Sequence, residues 1–550
     1  MSGGVGGAGG VGADGVIYLV ANGDTRLSAN QTCWRAQAET EAAVIRALAD
    51  LGYSVVRAHS FDPAKGHGFI DSQRAGIEAF RSVPVDARVV VVEAVWQYSQ
   101  QLMPGLLGHR GPVLTVANWS GQWPGLVGLL NLNASLRKAG RAFETLWSED
   151  FEDRFFLDGL RAWLAGGRVA HDLSHVRKLD RDLLPIRALV AGEGLASQLR
   201  ADRALMGIFD EGCMGMYNAI IPDELLHPLG VFKERLSQSA LFAAMVQVED
   251  SDAAEVLAWL RNRGMRFVTG TDEAVDLTEG QLLEQCRMYI AVVRMVDELG
   301  LDLVGIQYQQ GLKDLVAASD LAEGLLNNAD RPPVLDANGL VIRDGLPVLH
   351  FNEVDECAGL DALITNRVWA ELGLPIENTL HDVRYGEEFG GEFVWVFEIS
   401  GAVPPAHFAG GYADAVSERQ PPMYFRLGGG TIKGVSKPGS VVWSRIYVEN
   451  GGLCADIGLA ESVALPAEES ERRWSITTPQ WPMMHAVLPG ISRDQFMAQH
   501  CSNHIQVAYA DDRSSALQAV AVKAAMMHAL GISVNLCGAG ASNFGRAAAA

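Results

Sequence analysis

Four carboxylates, Glu353, Asp355, Glu356 and Asp361, crowd the stretch HFNEVDECAGLDALI (350–364), directly behind the apolar run LPVLHF. Carboxylates at the strand ends of α/β sheets commonly face a crevice, and Glu353 has that placement if LPVLHF is a strand. Asp355 and Glu356 open the helix that follows, where acidic groups complement the positive end of the macrodipole, so those two read as structural. A second polar cluster, NTLHDVRYG (378–386), and a third, AQHCSNHIQVAYA (498–510), each set a carboxylate or an imidazole beside a strand-like run. Together the three clusters can supply two oxygens and one nitrogen. A divalent ion such as Mn²⁺ accepts that donor set and keeps positions open for substrate oxygens.

Other motifs carry less. LGGGTIKG (427–434) lacks the spacing of a phosphate-binding P-loop and lies among strand-like runs. His171 and His175 are spaced i, i+4 without an accompanying glutamate pattern, and an exposed charged helix explains them as well as a metal does. No G-x-S-x-G elbow occurs, and no cysteine sits in a nucleophile motif, so covalent catalysis has no candidate.

The elements that must position these residues follow from periodicity. From residue 15 short β-branched runs (GVIYLVAN, ARVVVVEAVW, GPVLTVAN) alternate with helical patterns, the rhythm of parallel βαβ units. A second such block begins near IRALVAG and runs through RALMGIFD and the helix QLLEQCRMYIAVVRMVDELG to the strand LDLVGIQYQ. In that helix Leu283, Cys286, Ile290 and Val293 share one face, as a core-facing helix requires. Beyond about residue 366 the runs EFVWVFEIS, MYFRLGG, SVVWSRIYVEN and HIQVAYA predict antiparallel sheet or barrel without long intervening helices. The expected class is therefore α/β: two Rossmann-like α/β domains with parallel sheets, at 15–175 and 176–365, followed by a β-rich, barrel-like domain at 366–540. The first metal ligand falls in the second domain and the others in the third.

Composition bounds the partners. Lys and Arg number 44 against 66 Asp and Glu, a formal charge of -22 that repels nucleic acid. No apolar stretch approaches the ~18 residues a membrane helix needs. The seven cysteines are scattered without C-x-x-C pairs, as in a reduced, cytoplasmic protein. The opening MSGGVGGAGGVGADG reads as a flexible leader rather than a signal peptide.

The three clusters, in this order, resemble the L-fucose isomerase family of aldose-ketose isomerases. NEVDECAGLDALI is similar to the family segment that brings a metal-binding glutamate, LHDVR to the one that brings the aspartate, and SNHIQVAYA to the one carrying the histidine. The resemblance implies Glu353, Asp382 and His504 as ligands of Mn²⁺, or of another divalent cation such as Mg²⁺ or Co²⁺, with Glu353 and Asp382 also serving as acid and base. It further implies Gln307 in VGIQYQ, Tyr412 in GGYA, Trp481 in PQWP and Asn503 in SNHIQ as substrate contacts. Trp96 in EAVWQY would be the tryptophan that reaches a neighbouring subunit's site. The expected activity is interconversion of an aldose, L-fucose or a related deoxyhexose or pentose such as D-arabinose, with its ketose through an enediol, in a homo-oligomer that the family makes a hexamer. Two alternatives stay open: a sugar-binding or sensing protein that keeps the fold without the chemistry, and an L-arabinose isomerase-like enzyme.

Overall fold

The computed structural model describes residues 15–95, 98–119, 123 and 125–539. The chain divides into two compact units, one running to Leu129 and including Arg141–Ala170, the other comprising Leu130–Gly140 and the chain from His171 onward. The expected spans 176–365 and 366–540 lie together in the second unit.

The first unit is built on a five-stranded, wholly parallel sheet in the order Ser54–Arg57, Val16–Val20, Arg88–Glu93, Val113–Asn118, Glu144–Ser148. The central runs RVVVVE and VLTVAN are rich in valine and almost wholly buried. Val90, Val92, Leu114 and Val116 are buried together with Phe156, Leu160 and Trp163 of the helix Arg154–Leu164.

In the second unit a four-stranded parallel sheet has the order Leu349–His350, Leu303–Ile306, Ala204–Phe209, Val231–Leu236. Beyond it the antiparallel strands Asn378–Phe389, Glu392–Glu398, Met483–Val487, Gly452–Ser462, Gly439–Glu449 and His504–Tyr509 pair in that sequence, and the last pairs with the first. The six strands therefore close into a barrel, which leaves no free sheet edge among them. The strand Ser533–Cys537 adds in parallel to Gly452–Ser462 outside the ring. Parallel α/β sheets and a β-rich C-terminal region are thus the architecture.

The second α/β block begins at IRALVAG as expected, opening with the helix Ile186–Asp202 and continuing in the strand Ala204–Phe209. Two local expectations are corrected. MYFRLGG is a turn rather than a strand, because Pro421 and Pro422 withhold ladder donors and Gly428 and Gly429 take φ of +73° and +109°. The β-rich region also contains a long helix, Arg513–Ala529. Its apolar positions run nearly all round, so it shows no one-sided stripe. It is packed among the barrel strands and the helices Ile186–Asp202 and Glu356–Leu372. At Gly192 the two helices come so close that a Cβ would lie 2.6 Å from that of Ala525.

Among the described residues no helix is long and apolar enough to cross a membrane.

Candidate functional site

Glu353 lies in a turn, not at the end of an extended strand as expected. The strand stops at His350, and Asn352–Val354 form a single tight turn in which Glu353 and Val354 take φ of +59° and +53°. Left-handed backbone at two successive non-glycine residues, one of them β-branched, is costly and persists where the surroundings impose it. Here the amide of Asn352 donates to Glu323 Oε2, and Asp355 NH closes back onto Asn352 O. The chain then turns directly into the helix Glu356–Leu372.

Asp382 and His504 reach the same place from the barrel. Asp382 lies within the strand Asn378–Phe389, His504 is the first residue of His504–Tyr509, and the two are opposite partners in the antiparallel register. His504 Nε2 lies 3.5 Å from Glu353 Oε2 and 3.5 Å from Asp382 Oδ1. The imidazole is fully buried and its Nε2 makes no hydrogen bond, while the two carboxylates keep 16% and 15% of their side chains exposed. A buried nitrogen thus faces two oxygens that are open to an approaching molecule.

The other ring nitrogen is anchored. His504 Nδ1 is 2.6 Å from Asp355 Oδ2, and Arg445 grips the same carboxylate through Nη1 at 2.6 Å and Nη2 at 3.1 Å. Asp355 Oδ1 also accepts the NH of Ala358 at 3.0 Å, capping the helix. Asp355 stands at the helix start as expected and also caps it, and its carboxylate in addition orients the histidine. Burial would raise the Asp355 carboxyl, yet Arg445 and His504 hold it well below the usual range, so it stays ionised. The signal in the sequence was Arg445, a charge in the middle of the apolar run SVVWSRIYVEN. Glu356, read as a macrodipole partner, sits at the helix start and also pairs with Lys233 at 2.8 Å and accepts Ile221 NH at 2.7 Å.

Electrostatically the centre is rich in carboxyls. Burial pushes Asp382 up to about 6, with Glu353 adding to the rise and His504 opposing it. Across the sheet Glu398 is the register partner of Asp382, and burial pushes it up to about 7 against the pull of Arg384. Burial alone would lower His504, but Asp355, Glu353 and Asp382 together raise it to about 10. In the protein by itself these groups favour a proton on Nε2, which a divalent ion bound there would displace.

Two carboxylate oxygens and one imidazole nitrogen are the donors that would hold such an ion. Asp355 supplies the outer carboxylate that metal-binding histidines use to fix their tautomer. Among the described residues no group of three or more His, Cys, Asp or Glu donors is set as a ready-made metal cage. The case for this trio rests instead on its two edges, on the orphaned Nε2 and on the anchored Nδ1.

The remaining sequence-derived residues fall as follows. Asn503 Nδ2 donates to Asp382 Oδ1 at 3.1 Å, so it belongs to the centre. Gln307, fully buried, accepts Gln309 NH at 3.1 Å through Oε1 and leaves Nε2 without a partner. Trp481 is at one remove: its Nε1 donates to Gln420 Oε1 at 2.8 Å, and Gln420 in turn donates to Ser400 O at 2.6 Å. Tyr412 is engaged elsewhere, donating to Asp330 O at 2.7 Å and meeting Trp259 edge-on at 5.2 Å. Trp96 lies outside the described residues.

The aromatic residues beside Glu353 are instead Tyr308 and Phe425, stacked at 5.7 Å. Sequence reasoning also missed Asp320 and Glu323, two acids in the buried helix Asp320–Leu326. His171 and His175 lie in a loop and turn, not on the expected helix, and only His175 is buried; its Nδ1 has no partner, and among the described residues no metal-like group forms around it.

No protein-family model matches the chain, and no curated protein does.

Proposed function

We propose that the protein is a divalent-metal-dependent ketol-isomerase acting on an open-chain aldose, in the manner of the L-fucose isomerase family. The observation that carries this reading is the meeting of Glu353, Asp382 and His504 Nε2, at 3.5 Å on each measured edge, from a tight turn and two barrel strands. Glu353, Asp382 and His504 would hold the ion, Mn²⁺ or another such as Mg²⁺ or Co²⁺. When bound, it supplies Lewis-acid stabilisation of the negative charge that develops on the substrate oxygens.

The chain's own groups do the proton work. One of the two carboxylates removes the proton from C2 of the aldose, giving an enediol, and a proton is returned to C1 to complete the ketose. Burial raises Asp382 to about 6 in the protein by itself, and a cation bound beside it would hold it ionised, the form a base requires. Asn503 orients it, and Asp355 keeps the imidazole turned toward both carboxylates. Cys286, Cys357, Cys454, Cys501 and Cys537 are free thiols, which supports a reducing, cytoplasmic setting. The family resemblance adds a homo-oligomer, a hexamer, in which Trp96 serves a neighbouring copy.

The test is a panel of L-fucose, D-arabinose and L-arabinose incubated with the protein and Mn²⁺ in deuterated water and followed by NMR. Ketose carrying solvent deuterium at C1 supports the reading. Binding of the sugars without any conversion favours the sensing alternative.

A further inference from the structure

We infer that Asp320 is the acceptor in a one-hydroxyl subsite beside Glu353, and that it governs which aldoses the site accepts; this rests on the isomerase reading above.

Three pieces of chain meet there. The strand Leu303–Ile306 runs out into Tyr308 and Gln309, the helix Asp320–Leu326 starts just after Ser319, and Ser400 follows the strand Glu392–Glu398. With Glu353, Glu323 and Phe425 they enclose a cavity of about 10 Å³. That is room for one water-sized group, the size of a single hydroxyl.

The lining is chemically specific. Asp320 is 3% exposed, and its Oδ2 has no partner. Glu323, by contrast, accepts the side-chain amide of Asn352. A buried carboxyl oxygen with no donor is costly unless something supplies one. A lone water can, and a sugar hydroxyl that displaces it reproduces the same bond. Ile306 and the stacked Tyr308 and Phe425 give apolar surface on which the adjoining C–H groups pack. Because Glu353 forms part of the same wall, the hydroxyl held here lies on a carbon close to the reacting pair. Sites built to hydrogen-bond a hydroxyl reject analogues lacking it far more strongly than apolar pockets reject an extra group.

The experiment compares kcat/KM for each accepted aldose with that for its monodeoxy analogues, in the wild type, Asp320→Ala and Asp320→Asn. At one hydroxyl position the wild type is expected to discriminate by about 10²-fold or more, and Asp320→Ala to lower that ratio below about 10. Metal content should remain that of the wild type. An unchanged ratio in a folded Asp320→Ala overturns the subsite. If that variant does not fold, Asp320→Asn and Ser400→Ala are read in the same way, and ratios equal to the wild type in both overturn it. Calorimetry with the corresponding alditols separates this failure from that of the isomerase reading, because it needs no turnover. Alditol binding weakened at least about tenfold by Asp320→Ala supports the subsite even in a protein that converts no aldose. Equal alditol affinities overturn it even in an active isomerase.

Discussion

Asp382 and His504, far apart in the chain, stand opposite one another in register on neighbouring barrel strands, with Oδ1 and Nε2 3.5 Å apart. That pairing turns two unrelated polar clusters into one site, because opposite positions on antiparallel strands bring side chains together on one face. Glu353 completes it only because its backbone is held in the left-handed region. The site is thus rigid on two sides and strained on the third, as preorganised chemistry requires.

Glu353→Gln and Asp382→Asn are nearly isosteric and remove the acid-base function. Each is expected to lower kcat by at least about 10²-fold, the usual worth of a positioned acid or base. Steady-state kinetics on the aldose identified by the panel, at saturating Mn²⁺, measures this. A variant within a few-fold of the wild type contradicts the assignment of that residue.

Asp355→Asn acts through His504 rather than on substrate. It removes the charge that holds Nδ1, and outer partners of this kind typically change metal affinity about 10- to 100-fold. It also leaves Arg445 buried without its partner, for which about 3–5 kcal/mol of stability is expected to be lost. Mn²⁺ titration and urea unfolding read the two effects separately.

Lys523 lies buried under the barrel, donating to Asp361 Oδ1 at 2.5 Å and to Thr365 and Ser444 hydroxyls at 2.6 Å each. Lys523→Met strands Asp361 and is expected to cost about 3 kcal/mol or more, whereas Lys523→Met with Asp361→Leu recovers most of it. Urea midpoints of the single and double variants check this. A double variant no more stable than the single one contradicts it.

His485 is fully buried with neither ring nitrogen bonded, and burial, helped by Arg473, lowers it to about 4. The sign follows from linkage. The folded state resists protonation between about 6.5 and 4 while the unfolded chain takes up the proton. The contribution of this histidine is therefore complete above that window and lost as pH falls through it. Buried carboxyls act oppositely: Asp320, pushed up to about 7, stabilises the fold at low pH. Comparison with His485→Leu isolates the histidine. The difference in unfolding free energy between the variant and the wild type is expected to move in favour of the variant from pH 7 to pH 4.5. A pH-independent difference contradicts the assignment.

Much of this was legible in the sequence, and the reasons for the misses are physical. Parallel sheets buried on both faces write themselves as β-branched runs, so RVVVVE and VLTVAN were read correctly. Three of the six barrel strands, Glu392–Glu398, Gly439–Glu449 and His504–Tyr509, were legible from their apolar runs, and the three polar clusters from their intrusion into such runs; the choice of Glu353, Asp382 and His504 within them came from the resemblance. The helix Arg513–Ala529 was not legible, because burial on nearly all sides erases the 3.6-residue stripe. Asp355 looked like a helix cap and is one. Its second role depends on Arg445, ninety residues away, which only the closure of the fold brings near. Asp320 was hidden by an apolar helix whose neighbours come from three separate stretches.

The account stands or falls on the cation. Protein treated with a chelator and dialysed should convert no aldose, regain the activity with Mn²⁺, and regain none in Glu353→Gln. Full turnover by the chelated protein, with Glu353→Gln equally active, would contradict it.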